Sequence, residues 1–253
     1  MESKEAVRTG GGNRLAMFLL GATLALGFAL GAYMLSSALV RMRQSRLIRV
    51  KGLAETKITS NFATWSCTFS YRSDGLETGY QGLQKARAAV IDFLKASQVA
   101  EDEMSANPAE ISTLYGRDGK GNRTNTIEGY VLSQAISVWS SDVNKIGRVA
   151  KTVTDLIKAG LEVKSDTPQF VYTDIESVKL DLIGKATKNA YERAQALAAN
   201  SNGKVGKLNS ASQGVFQITS VNSTETSDYG CYDTHSIGKS VRCVVTLEFA
   251  VDK

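Results

Sequence analysis

The side chains able to do chemistry are few. His235 is the only histidine in 253 residues. It lies in a polar stretch with no nucleophile near it in sequence. A Ser-His-Asp triad or a zinc site would have to recruit residues from elsewhere, so His235 reads as a solvated loop residue. Gly238-Lys239-Ser240 ends like a phosphate-binding loop, but Asp233 stands where the leading glycine belongs. The segment also precedes a strand, whereas a phosphate loop opens a helix to use its dipole. Lys239 is therefore expected to hydrogen-bond a carbonyl or pair with an acid such as Asp233. Glu101-Asp102-Glu103 reads as a solvated charge run, and Trp65 and Trp139, each on an apolar strand face, read as core. No catalytic residue, cofactor site or metal set is expected, and the chain reads as a non-enzyme.

Three cysteines remain: Cys67, Cys231 and Cys243. Cys231 stands among Ser, Thr, Gly and Asp, while Cys243 opens the alternation Cys243, Val245, Leu247, Phe249, Val251 of a half-buried strand. A Cys231–Cys243 bridge would close a short loop and contribute roughly 3 kcal/mol in the chain-entropy picture. Cys67 falls on the inward face of Ala63, Trp65, Cys67, Phe69 and Tyr71 and reads as buried filler. Its pairing with Cys243, or no bridge at all, stays open. A bridge implies an oxidising compartment, the periplasmic side in a bacterium. No CxxC or Cys/His spacing offers these thiols a metal.

The element that must carry all this is at the N-terminus. Residues 15–40 contain no charged side chain, and at about 1.5 Å per helical residue they exceed a ~30 Å hydrocarbon core. A signal peptide competes, with a basic start (Lys4, Arg8, Arg14) and a small-x-small site at Ser36-Ser37-Ala38. Its apolar region is usually only about 7–15 residues, so an uncleaved anchor is expected. Gly27 and Gly31, and Gly21 and Ala25, form small-xxx-small pairs that suit helix association in lipid. Arg41, Arg43, Arg46, Arg49 and Lys51 follow as a basic collar for headgroups, and the net charge of +5 is too modest for a nucleic-acid footprint. Three cations precede the helix and five follow it, so the positive-inside rule alone would leave the large domain in the cytoplasm. The cysteines argue the opposite.

Beyond the helix, the 43% hydrophobic and 22% charged composition permits an ordinary core. Strands are expected at residues 49–55 and 57–72, then a helix at 76–98 with Leu83, Ala86, Val90, Phe93 and Leu94 on one face. Strands at 110–115 and 126–140 flank a glycine-rich hairpin tip. An amphipathic helix at 142–159 closes on Gly160. The pattern then recurs: a strand zone at 161–175, a helix at 177–201 with the stripe Ile183, Ala186, Ala190, Ala194 and Leu197 ended by Gly203, and strands at 205–221 and 240–251. The expected fold is α+β, two strand-helix-strand-strand units joined by a helix. The expected layout is a tail (1–14), a transmembrane helix (15–40), a basic stem (41–48) and one domain (49–253).

Three strings carry a resemblance: Val50-Lys51-Gly52-Leu53-Ala54-Glu55; the alanine-rich 186–199 helix running on to Asn202-Gly203-Lys204-Val205-Gly206-Lys207-Leu208; and Ser227-Asp228-Tyr229-Gly230-Cys231-Tyr232-Asp233-Thr234-His235-Ser236-Ile237-Gly238-Lys239-Ser240-Val241. Together they resemble the SIMPL-domain family over residues 48–252, most specifically in the last string. The resemblance implies an envelope α+β protein that assembles into homo-oligomeric rings or cages without assigned catalysis. It also implies a domain on the periplasmic side of a bacterial inner membrane. The expected partners are copies of itself and the bilayer, not nucleic acid, with contacts at the hairpin tips 116–123 and 222–239. An alternative is a binding module that sequesters a hydrophobic or oxidised envelope component; an enzyme with an unrecognised site comes last.

Overall fold

The structure, a computed structural model, describes the backbone of residues 12–43 and 47–252, and within the first helix the side chains of residues 17–37. Helix α1 (Gly12–Arg43) contains an apolar span, Met17–Ser37, with mean hydropathy 1.9 and none of it buried. A core helix of a soluble protein would be covered; this one is bare. Two of its hydroxyls bond back to the helix's own backbone: Thr23 Oγ1 donates to the Leu19 carbonyl (3.1 Å) and Ser37 Oγ to that of Met34 (2.9 Å). A Cβ added at Gly21, Gly27 or Gly31 would meet nothing within 4 Å. Arg49 is exposed, whereas Arg41, Arg43 and Arg46 lie outside the residues whose side chains are described.

The rest is α+β in two sheets. In chain order come β1 (Leu47–Thr59), β2 (Phe62–Ser73), α2 (Leu76–Ala96), β3 (Met104–Ala106), β4 (Glu110–Arg117) and β5 (Arg123–Ser140). Then follow α3 (Val143–Thr152), β6 (Glu162–Ser165), β7 (Gln169–Val171), α4 (Ile175–Ala199), β8 (Lys204–Gln213), β9 (Gln217–Ser220), β10 (Cys231–Tyr232) and β11 (Gly238–Asp252). The six-stranded sheet has the order β3-β5-β2-β6, with β4 on β5 and β7 on β2; the five-stranded sheet is β1-β11-β9-β10, with β8 on β11. By contacts the described chain divides into one unit of residues 51–191 with 212–246, and another of 12–50 with 192–211 and 247–252.

The expected repeat holds in element order but not in sheet membership. β1 joins the late strands, and β6 and β7 join the early ones. The exchange happens at Ser60-Asn61, where the chain leaves one sheet for the other: Ser60 N donates to the Ile237 carbonyl (2.8 Å) and Asn61 N to that of Val171 (3.1 Å). Element patterns record which face of a strand is apolar, not which sheet it enters.

The main core lies between the six-stranded sheet and α2 and α3. β2 and β5 run antiparallel from Ala63↔Ser140 to Ser73↔Tyr130, so Trp65, Cys67 and Phe69 share an inner face with Leu132, Ile136 and Val138, all buried. Trp139 is corrected: one residue after Val138 it points to the other face and is 37% exposed, as the two-residue strand period requires. α2 buries Gly79, Leu83, Ala86, Val90 and Leu94. The side chain of Asp142 caps α3 by accepting from Lys145 N (2.9 Å). The helix expected over 142–159 becomes 3₁₀ after Thr152 and ends, as expected, at Gly160, in the left-handed region at φ 81°.

α4 buries Ala186, Ala190 and Ala194, as expected, but the stripe continues in steps of four through Leu182 and Ala198 rather than through Ile183, which is half-buried, and Leu197, which is 52% exposed. Small residues recur because the helix lies almost on β1. A Cβ on Gly52 would stand 2.0 Å from the Ala186 carbonyl oxygen and 2.6 Å from Ala190 N, so only glycine fits there. The helix end differs as well. Asn202 takes the left-handed position at φ 55°, while Gly203 is packed so closely that a Cβ would meet Val251 at 2.8 Å.

Candidate functional site

The most specific sequence string folds into a staked loop. After β9 the chain makes an exposed excursion, returns as β10 parallel to β9 (Cys231↔Gln217, Tyr232↔Ile218), and then enters β11 antiparallel to β9 (Lys239↔Ser220 to Arg242↔Gln217). The Gln217 side chain holds the excursion by donating to the Ser227 carbonyl (2.6 Å) and accepting from Ser227 N (3.2 Å). Gly230 is required twice over. Its φ is 87°, and a Cβ there would meet the Phe216 carbonyl oxygen at 2.9 Å.

Lys239 fastens the segment that follows. Its side chain is 2% exposed, and its Nζ donates to the carbonyls of Asp233 and Ser236, both at 2.6 Å, with the Asp233 carboxylate 3.8 Å away. This is the carbonyl-and-acid role expected of it. Burial pushes the ammonium pKa down, opposed by the charge of Asp233. Asp233 is itself penalised by burial, yet the Ser236 hydroxyl, the His235 amide and the Lys239 charge outweigh that and hold its carboxyl below the usual range. The loop is also sewn outward: Asp233 N donates to the Ile218 carbonyl (2.8 Å), Phe170 N to that of Thr234 (2.7 Å) and Ser60 N to that of Ile237 (2.8 Å). Every buried polar group in the segment has a named partner, so its work is to join β9, β7 and the end of β1.

Beside it lies an open groove of about 550 Å³ lined by Ile218, Thr219, Ser220, Glu225, Cys231, Tyr232, Asp233, His235 and Ser236. His235 is exposed on its wall, as expected. Among the described residues no group of His, Cys, Asp and Glu is placed to hold a metal ion.

The proposed disulfide is corrected. All three cysteines are free. The register explains why: Cys231 and Arg242 both pair with Gln217, on opposite sides of β9. Cys231 and Cys243 are thus separated by two strand spacings, about 10 Å, beyond the ~7 Å that a bridge can span. Cys67 and Cys243 are both buried, and burial pushes Cys67 up to about 12. The redox argument for compartment falls with the bridge.

The expected second hairpin tip is half right. Residues 231–239 are tied down, and the exposed part is the excursion before them, with Tyr229 97% exposed. The first tip does project. Asp118 accepts from Lys120 N and Asn122 N (both 2.9 Å), Arg117 Nη1 donates to the Gly121 carbonyl (2.8 Å), and Arg123 stacks 3.7 Å from the Tyr115 ring centre.

Sequence reasoning missed one polar node. Glu103, expected to be solvated, accepts from Ser140 Oγ and Lys145 Nζ (both 2.5 Å) and from Ala100 N (3.0 Å). Burial raises its pKa, but these donors together bring it below the ordinary carboxylate value. The acidic run Glu101-Asp102-Glu103 gave no signal of it, because the partners lie 37 and 42 residues further on, Ser140 at the end of β5 and Lys145 in α3.

No curated protein matches the chain. A family match covers residues 48–239, taking in β1 through the lysine clasp and stopping short of the rest of β11. The chain belongs to the SIMPL family, described as a protein of unknown function (DUF541).

Proposed function

We propose that this protein is a membrane-anchored, non-enzymatic envelope scaffold whose folded part self-assembles into a large ring or cage. The observation that carries this is Tyr229. Gly230, the two Gln217 bonds to Ser227 and the Gly230 N bond to the Ser227 carbonyl (3.0 Å) hold its loop in one shape, yet the ring at the tip is 97% exposed. A rigidly presented aromatic is the kind of residue that anchors a protein interface. The self-braced 117–122 hairpin end is a second such projection, flanked by Ile111 and Ile127, 59% and 51% exposed. Closed symmetry would cover such projections and multiply weak contacts.

The proposed location is the bacterial inner membrane with the domain on the periplasmic side. The bare apolar span and the family support it; the count of three cations before the helix against five after points the other way. The alternative, sequestration of a hydrophobic or oxidised envelope component, would use the groove at 218–236, whose lining of hydroxyls, carboxylates and imidazole suits a polar ligand better than an apolar one. The scaffold reading therefore stands first.

Mass photometry of the full chain in mild detergent tests it. The expected result is a discrete multimer that dissociates on Tyr229→Ser or on deletion of residues 117–122. Monomers at micromolar concentration, unchanged by either alteration, would overturn it.

A further inference from the structure

β1 opens at Leu47, with only residues 44–46 between it and the end of α1 at Arg43. Four Cα steps reach at most about 15 Å. The apolar span ends at Ser37, about 9 Å of helix before Arg43, so the start of β1 is leashed within reach of the headgroup layer. The same compact unit holds residues 192–211 and 247–252. Within it the start of β8 abuts the end of β11: a Cβ on Gly206 would meet the Asp252 carboxylate at 2.8 Å, as one on Gly203 would meet Val251.

The surface chemistry of this unit is uneven. Leu47, Leu197 and Leu208 are 42%, 52% and 53% exposed. Arg49, Lys204 and Lys207 are exposed in the same unit, and among the described residues none of the three takes part in an ion pair. The acids of the unit are Glu192, which is exposed, Glu248, which accepts from Asn209 Nδ2 (2.8 Å), and Asp252, which lies against Gly206. Bare leucines among unpaired cations match an interfacial layer, where alkyl chains reach the acyl boundary and ammonium groups meet phosphate.

Resting on the anchor reading above, we infer that this end of the five-stranded sheet sits on the anionic bilayer surface beside its own anchor. Lys204 and Lys207 lie against lipid phosphates, and Leu208, Leu47 and Leu197 lie at the acyl boundary. The contact fixes the angle between β1 and the membrane.

The test uses the full chain in nanodiscs made either with phosphatidylglycerol or wholly of phosphatidylcholine, read by hydrogen exchange. Amides of residues 204–211 are expected to exchange about fivefold more slowly on the anionic discs, and the difference to vanish at about 0.5 M salt. The difference should also vanish in the Lys204→Glu, Lys207→Glu double variant, whose exposed sites leave the thermal transition unchanged. Equal exchange on the two discs would overturn this contact while leaving the anchor intact. If membrane-fraction protein from cells has lost residues 15–40, both the anchor and the contact fall.

Discussion

Replacing Lys239 by methionine keeps the length and apolar stem of the side chain and removes only the ammonium. The Asp233 and Ser236 carbonyls, each taken at 2.6 Å, then lose their donor, and the Asp233 carboxylate loses the cation 3.8 Å away. Hydrogen bonds to a charged group contribute about 1.5–3 kcal/mol each. Relief from burying the charge offsets part of that loss, so a net destabilisation of about 3–5 kcal/mol is expected for one broken side of a buried pair. For a folded part of about 200 residues this lowers the melting temperature by about 10 °C, read by near-ultraviolet circular dichroism on the full chain in detergent. A local readout accompanies the global one. The amides of Phe170 and Ser60, which donate to the Thr234 and Ile237 carbonyls, should lose exchange protection ahead of the β2–β5 ladder. A shift below about 2 °C with both amides still protected would refute the clasp.

Two other measurements bear on the same structure. Asp233, Glu103 and Glu55 all have carboxyl pKa values below their reference values of 3.8, 4.5 and 4.5. Because the unfolded chain then takes up protons first, their stabilisation is whole above the reference values and is lost as pH falls through the lower folded ones. The melting temperature should be level near neutrality and fall below pH about 4, with Asp233→Asn giving a shallower acid limb; an acid limb identical in that variant would refute the assignment. A maleimide at pH about 8 should add once per native chain, at the half-buried Cys231, and three times after denaturation, with no mobility change on reduction. Native labelling at Cys67 would contradict its burial.

The sequence was most informative where one face alone decides the outcome. Alternation placed Trp65, Cys67 and Phe69 inward, and the three- and four-residue steps of α2 placed Leu83, Val90 and Leu94 against them. It was least informative where the deciding partner is far along the chain. Leu197 looked like part of the α4 stripe until the closeness of β1 at Gly52 selected a run of alanines in steps of four. Trp139 reads as core when placed on an apolar strand face, but its strand period relative to Ile136 and Val138 sets it outward. The Cys231–Cys243 spacing suited a bridge, but β9 enters between the two strands that carry them. Glu103 is the plainest case: a carboxylate in an acidic run has no sequence mark that separates solvent from Ser140 and Lys145.

The same comparison sorts the family's signature string. Gly230 is fixed by a positive φ and a backbone contact, Asp233 and Lys239 by burial and shared hydrogen bonds, and Gly52, in the companion string, by a helix that would collide with any side chain. Each of these residues is accounted for by folding alone, so none of them points to a ligand. Tyr229 is different: nothing in its own fold requires its ring, and water meets almost all of it. On the scaffold reading proposed above, the ring is a contact surface for a neighbouring copy rather than a part of this fold. Covering it would remove apolar surface from water, and the hydrogen bonds from Gln217 that hold the loop would lower the entropy lost on association. On that reading the staking of the loop and the exposure of its tip are one feature.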